Sequence, residues 1–217
     1  MTMIQAVVTE TRISVVADSI CGSAGQILRG EDGRELEECK LIALAHAKCV
    51  LTSLGSLALR QRVQCSPGAI ANFDQGVRRL PQLLARLHAS LNLHLQEDEH
   101  PLGHSVLLMG WSTERRRMAL AHFHSRTSFE AEMHGDPVNG GMVFWRCPDL
   151  PREKYQFTPI DTPELITFAH ATSEHYRSID PTTPIGGKLI LAELTEQAVT
   201  ISVAGDLGMP AQQIGGA

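Results

Sequence analysis

A chain of 217 residues is long enough for one domain with its own hydrophobic core and short for two. Its 43% hydrophobic and 20% charged residues exclude a disordered, collagen-like or coiled-coil chain, and no apolar run approaches the ~20 residues of a membrane-spanning helix. The net charge of −5, from 19 basic and 24 acidic side chains, lacks the basic surplus of a nucleic-acid binder, so neither nucleic acid nor membrane is expected as a partner.

The five cysteines, Cys21, Cys39, Cys49, Cys65 and Cys147, are scattered and free of CxxC spacing, which argues against a disulfide framework and a zinc knot. Residues 1–5 do not read as the start of a signal peptide, and a cytoplasmic location is expected.

Residues 3–16 read as two strands. Ile4, Ala6 and Val8 alternate along the first, Ile13 to Ala17 form a second β-rich run, and the polar residues 9–12 make a turn of hairpin length. The pair ends at Asp18-Ser19. A glycine-rich, charged stretch follows over 22–38, with 30–33 as its turn tip. Residues 40–44 and 49–52 give a second strand pair, joined by 45–48 and closed by 53–56. Ser66-Pro67 is the expected start of a helical region, as N-cap and first helical residue. Leu80, Leu83, Leu84, Leu87, Leu91 and Leu95 form one apolar stripe there, and Pro81 is expected to kink or split it.

After the acidic turn at 97–99, residues 106–111 and 118–123 form a hairpin around 112–115. Further strands are expected near 129–133 and 142–145, then a helix over 163–176 capped by Thr162, with Pro163 as its first residue. Strands at 188–194 and 198–203 close the domain, and the glycine-rich tail is expected to be loose. Strands, helices, strands, helix, strands is the order of two antiparallel sheets packed face to face and flanked by helices, an α+β, four-layer αββα sandwich in one domain over 1–205, with a flexible tail over 206–217.

The informative stretch is the first 56 residues. Thr2 opens the first strand, Ala17-Asp18-Ser19 ends the second, Lys40 opens the next and Gly55-Ser56 follows a fourth; Gly186-Gly187-Lys188 enters a late strand. In order and spacing this resembles a bacterial proteasome-like β-subunit of the N-terminal-nucleophile hydrolase family (proteasome, HslV, Anbu or betaproteobacterial proteasome homologue). The resemblance implies a threonine peptidase with Thr2 as nucleophile once Met1 is removed, and Asp18, Lys40 and Gly55 as the other catalytic positions. It places Ile20, Gly55 and Ser56 beside the substrate. It further implies stacked homo-oligomeric rings of six or seven subunits, a peptide or unfolded protein as substrate, an ATPase partner if one exists, and no cofactor.

The chemistry has its own logic. A threonine hydroxyl is a poor nucleophile until a base takes its proton, and a free α-amine on the same residue, with a pKa of about 7.7–8.0, can be that base. A nearby ammonium, the role of Lys40, disfavours protonation of the amine. A buried lysine needs a counter-charge, which Asp18 fits, and the Gly55 N–H suits a developing oxyanion. With Met1 attached, the Thr2 nitrogen is locked in a peptide bond and this chemistry cannot run.

Departures from the family pattern are specific. Ile20 replaces an arginine, 31–38 looks inserted, a Gly-Ser-Gly loop has no counterpart between Met133 and Cys147, Asp180 stands two residues early, and Ile185 replaces a serine or threonine. The missing Gly-Ser-Gly loop and the altered late positions favour one alternative, a catalytically inactive ring-forming scaffold or binding shell; a further alternative is an amidohydrolase of small substrates on the same fold. Plainer readings also exist, since Asp18-Ser19 can be a simple turn, Lys40 an exposed strand-start lysine and Gly55 a turn glycine. His122 and His124 lie two apart on one strand face, but no third ligand stands at metal spacing, His170 and His175 do not share a helix face well, and no metal is expected. Cys65 and Cys147 have no identifiable partner as nucleophiles, and Arg115-Arg116-Arg117 reads as a solvated turn.

Overall fold

Strand β1 (Ile4–Val8) is buried along its whole length, and its two faces look into different cores. Ile4, Ala6 and Val8 pack with Val50, Leu107 and Met109, whereas Met3 and Val7 pack with Leu165 and Ala169. Such two-sided burial requires a layer on each side of the sheet. A slip of one residue would carry Gln5 into the first core, so register is strongly specified. Gln5 instead faces a helix and donates to Thr172 Oγ1 at 2.7 Å.

The structure, a computed structural model, describes residues 2–23, 26–29, 32, 34, 36–66, 70–93, 103–134, 143–148 and 157–209. After β1 come β2 (Arg12–Asp18), β3 (Gly22–Ser23), β4 (Gln26–Ile27), β5 (Ile42–Leu44) and β6 (Cys49–Leu54). Helices α1 (Leu57–Gln64) and α2 (Phe73–Ser90) follow, then β7 (Ser105–Ser112), β8 (Arg117–His124), β9 (Ala131–His134) and β10 (Val143–Cys147). Helix α3 (Thr162–Ile179) precedes β11 (Gly187–Thr195) and β12 (Val199–Gly208).

One five-stranded sheet has the order β10-β1-β2-β11-β12 and the other β5-β6-β7-β8-β9; every pairing is antiparallel. Their inner faces meet in one core. The outer face of the second sheet, through Leu51, Leu108 and Phe123, is covered by Leu59 of α1 and Leu80 and Leu84 of α2. Helix α3 covers the first sheet through Leu165 and Ala169. Each fully buried leucine or isoleucine contributes about 1.5–3 kcal/mol, so the leucine stripe alone is enough to seat α2. No helix among the described residues is long and apolar enough to cross a membrane.

Three local expectations change. Helix α1 starts at Leu57 with Ser56 as its N-cap, accepting from the Leu59 N–H at 3.3 Å. Ser66 falls after that helix and donates back to the Arg62 carbonyl at 3.1 Å, and it is not the cap of α2, which begins at Phe73. Pro81 lies inside a continuous α2 begun by Asn72. Leu80 and Leu84, buried on either side of it, hold the helix together against the cost of about 3 kcal/mol for an interior proline.

The third change is in α3, where Asp161 rather than Thr162 is the cap, accepting from the Glu164 N–H at 2.9 Å. Thr162 is engaged elsewhere, with Ser14 Oγ at 2.8 Å and Glu193 Oε1 at 3.1 Å. The tail expected from 206 is still strand through Gly208. The glycines at 30 and 33, Pro67, Leu95, the acidic turn at 97–99, the stretch 135–142 and residues 210–217 lie outside the described residues.

Candidate active site

Four strand ends converge at one mouth of the sandwich. Thr2 precedes β1, Asp18 ends β2, Lys40 stands two residues before β5, and Gly55 follows β6. Asp18 Oδ1 accepts from Lys40 Nζ and from the backbone N–H of Met3, each at 2.8 Å. The residue next to Thr2 is thereby tied to the carboxylate that holds the lysine. Both charges are out of water, with side-chain exposures of 2% for Lys40 and 0% for Asp18, so neither could be kept here without the other. Burial pushes the Asp18 carboxyl above its ordinary range; the Lys40 ammonium and the backbone amides of Met3 and Gly186 pull it only part of the way back.

Thr2, Lys40 and Gly55 line one shallow cleft, open to solvent, together with Cys21, Leu28, Ser53 and Arg60. Thr2 is half-buried there. Arg60 is nearly buried and forms an ion pair with Glu38, which also accepts from the Cys21 thiol at 3.4 Å. Burial first, and then Glu38, raise the Cys21 pKa, so the one thiol lining the cleft is held as a poor nucleophile.

Gly55 carries φ +91°, a conformation that side-chain-bearing residues rarely adopt. A Cβ at that position would stand 2.7 Å from His104 Nδ1. His104 cannot easily yield: its Nδ1 lies 3.1 Å from the Ser56 N–H and its Nε2 lies 3.3 Å from the Leu93 carbonyl. The first contact requires Nδ1 to accept and the second requires Nε2–H to donate, which sets the tautomer.

The double glycine joins the same mouth. The Gly186 carbonyl accepts from the Ser19 N–H at 3.2 Å and the Ile20 N–H at 3.4 Å, and the Lys188 N–H donates to Ser19 Oγ at 2.8 Å. The stretch before Lys40 folds back on 20–28, with Leu36 bonded to Cys21 and Leu28 and Glu37 bridged to Ile20.

Of the sequence-derived positions, Thr2, Asp18, Lys40 and Gly55 are thus brought together. Ile20 is fully buried and is not among the residues lining the cleft, and Ser56 serves as the cap of α1. Asp180 is exposed and accepts from the Thr182 N–H and hydroxyl, at 2.9 and 2.7 Å, so it closes its own turn. Ile185 is buried in the core beneath α3. Sequence reading missed Cys21, Leu28, Ser53 and Arg60. Ser53 carries one faint signal, a polar residue two before Gly55 at the end of an apolar strand.

Two antiparallel sheets between helix layers form a fold that solved structures of Anbu share. Among solved structures, the chain is similar to an Anbu (Gly-1) mutant from Hyphomicrobium sp. strain MC1, with a TM-score of 0.63 and 14% identity over 94% of this chain and 87% of that one. It is also similar to Anbu, described as an ancestral β-subunit, from Yersinia bercovieri, with a TM-score of 0.55 and 14% identity over 93% and 87% of the two chains. At this identity the likeness is one of fold. No protein-family model matches the sequence, and no curated protein matches it.

Proposed function

We propose that this chain is a ring-forming, proteasome-like β-subunit, and a threonine-type endopeptidase in which Thr2 is the N-terminal nucleophile after removal of Met1. The observation that carries the reading is the single Asp18 oxygen that holds both Lys40 Nζ and the Met3 N–H at 2.8 Å, beside a cleft lined by Thr2. Such a pair fixes a positive charge near the start of the chain without solvent to screen it.

In this reading the freed Thr2 amine takes the proton from its own Oγ, and Oγ bonds to the peptide carbonyl carbon. The Lys40 ammonium keeps the amine unprotonated and ready for that step. The oxyanion is stabilised by the Gly55 N–H. Collapse breaks the C–N bond, the leaving amine takes the proton back, and water activated by the same Thr2 amine hydrolyses the acyl-enzyme. Large apolar side chains left exposed on and beside α3 and β12, among them Ile160, Ile179, Ile201 and Val203, supply surface for a neighbouring subunit to cover.

The test combines intact mass, native mass and a panel of fluorogenic peptides. The expected result is a chain lacking Met1, assembled as a ring, with Thr2→Ala lowering turnover by about a thousandfold or more. Activity that survives Thr2→Ala removes Thr2 from the mechanism. A second reading, a catalytically silent ring-forming scaffold, is favoured by Asp180 turning onto Thr182 and by the apolar burial of Ile185. A stable ring that turns over no peptide or amide would select it.

A further inference from the structure

We propose that His122, Glu132 and His134 form a binding site for one zinc-type divalent transition-metal ion, which clamps the edge strand β9 to β8. The site is assembled by strand pairing. His122 stands opposite Glu132, and Leu120 opposite His134, so these side chains and His124 share one face of the second sheet. It is the inner face, since Leu120 belongs to the core between the sheets. Along the sheet, His124 pairs with Ser105 and Ser105 with Leu54, so the cluster sits toward the same end as Gly55, outside the residues that line the Thr2 cleft.

The spacing is the main argument. One ligand atom from each of the three side chains can be chosen so that all lie within 4.8 Å of one another. The Glu132 carboxylate sits between the rings, with Oε2 3.8 Å from His122 Nδ1 and Oε1 3.6 Å from His134 Nε2. These gaps are too long for hydrogen bonds. Bonds of about 2.0–2.1 Å to a tetrahedral zinc ion put neighbouring ligand atoms about 3.3–3.4 Å apart, so a shift of a few tenths of an ångström would close the carboxylate's two gaps around an ion.

The donor chemistry agrees. Two imidazoles and a carboxylate suit zinc better than magnesium or calcium, which prefer oxygen. The neighbouring His124 ring, its centroid 5.2 Å from that of His122 and its Nδ1 buried with no hydrogen bond among the described residues, stands outside this group of three.

The test uses the full chain, stripped by chelator and titrated calorimetrically with ZnCl₂, with Co²⁺ absorption as a second reading of ligand geometry. One equivalent of Zn²⁺ is expected to bind and to raise Tm. His134→Ala and Glu132→Gln are each expected to weaken binding about tenfold or more, with His170→Ala and Thr2→Ala leaving it unchanged. Glu132 is well exposed, so Glu132→Gln keeps the fold and reads the site alone, with far-UV circular dichroism as the check. The absence of saturable Zn²⁺ binding, or binding that survives the two substitutions combined, would overturn the proposal. Either result leaves the Thr2 reading untouched.

Discussion

Two aspartates are buried toward opposite ends of the second sheet, and the protein treats them in opposite ways. At the mouth, Asp18 offers one oxygen to Lys40 and the Met3 N–H, while its Oδ2 accepts no hydrogen bond among the described residues. At the far end, Asp74 in the first turn of α2 accepts at both oxygens: from Ser112 Oγ at 2.6 Å, from the Thr113 hydroxyl and N–H at 2.7 and 2.9 Å, and from the Glu114 N–H at 3.3 Å. Burial raises Asp18 on balance. For Asp74, burial pushes the same way, but the hydrogen bonds from Ser112, Thr113 and Glu114 outweigh it and hold the carboxyl below its ordinary range. Asp18 is the more deeply buried of the two and has fewer donors, and both differences push it upward. Asp74 ties a helix to a hairpin and is satisfied; Asp18 carries a lysine and is left with an idle oxygen, the kind of imperfect solvation found where a fold has spent stability on a site.

The sharpest way to break this contrast is to remove the Asp18 carboxylate while the ammonium stays. Asp18→Ala leaves Lys40 buried and unpaired, and is expected to cost about 3–5 kcal/mol in urea unfolding. Asp18→Leu combined with Lys40→Met removes both charges and is expected to regain most of that loss, although it ends any lysine-dependent turnover. If the double variant is as unstable as Asp18→Ala, packing rather than charge explains the site.

Asp74→Ala is the next largest effect, about 2–3 kcal/mol by the same measurement. It is smaller because, of the donors it orphans, only the Ser112 hydroxyl is deeply buried; those of Thr113 and Glu114 are near enough to the surface for water to replace the carboxylate. A cost above that of Asp18→Ala would reverse the ranking of the two ends.

The same difference governs what could be read from the sequence. Strands β1, β2, β7, β8, β11 and β12 were legible because alternation and short polar turns are local. Asp18 and Gly55 were legible as residues at strand ends in a recognisable order. Lys40 was legible as a type at a position, but that its ammonium lies on the same oxygen as the Met3 N–H is a contact across 22 residues that no periodicity reports. Arg60 reaches the cleft from α1, and Cys21 lies against the folded-back stretch at 36–38, neither of which a local pattern reports. The metal-type cluster was half visible in His122 and His124. Its completion depends on β8 turning into β9 through residues 125–127 and the left-handed Ser128 and Phe129, which fixes His122 opposite Glu132. Ser66 does not start α2 and Pro81 does not split it, because cap and breaker signals cost only a few kcal/mol, less than the core that overrides them.

The smallest effect tests the mechanism of the contrast through pH. The folded Asp74 carboxyl lies below its unfolded value of about 3.9, so between the two values the unfolded chain binds more protons and stability rises with pH. Its contribution is therefore full above about pH 4 and is lost as pH falls through the depressed folded value. Asp74→Asn keeps the shape without the charge and is expected to be about 1 kcal/mol less stable near neutrality, with the gap closing as urea unfolding is repeated toward pH 3. For Asp18 the sign is reversed: a folded value raised above the unfolded one means that stability is full below the unfolded value and is lost as pH rises through the folded one. A gap for Asp74→Asn that stays constant across this range would mean that the four donors hold the Asp74 side chain without favouring its charge, and the distinction between the two ends would rest on the deeper burial of Asp18 and its pairing with Lys40.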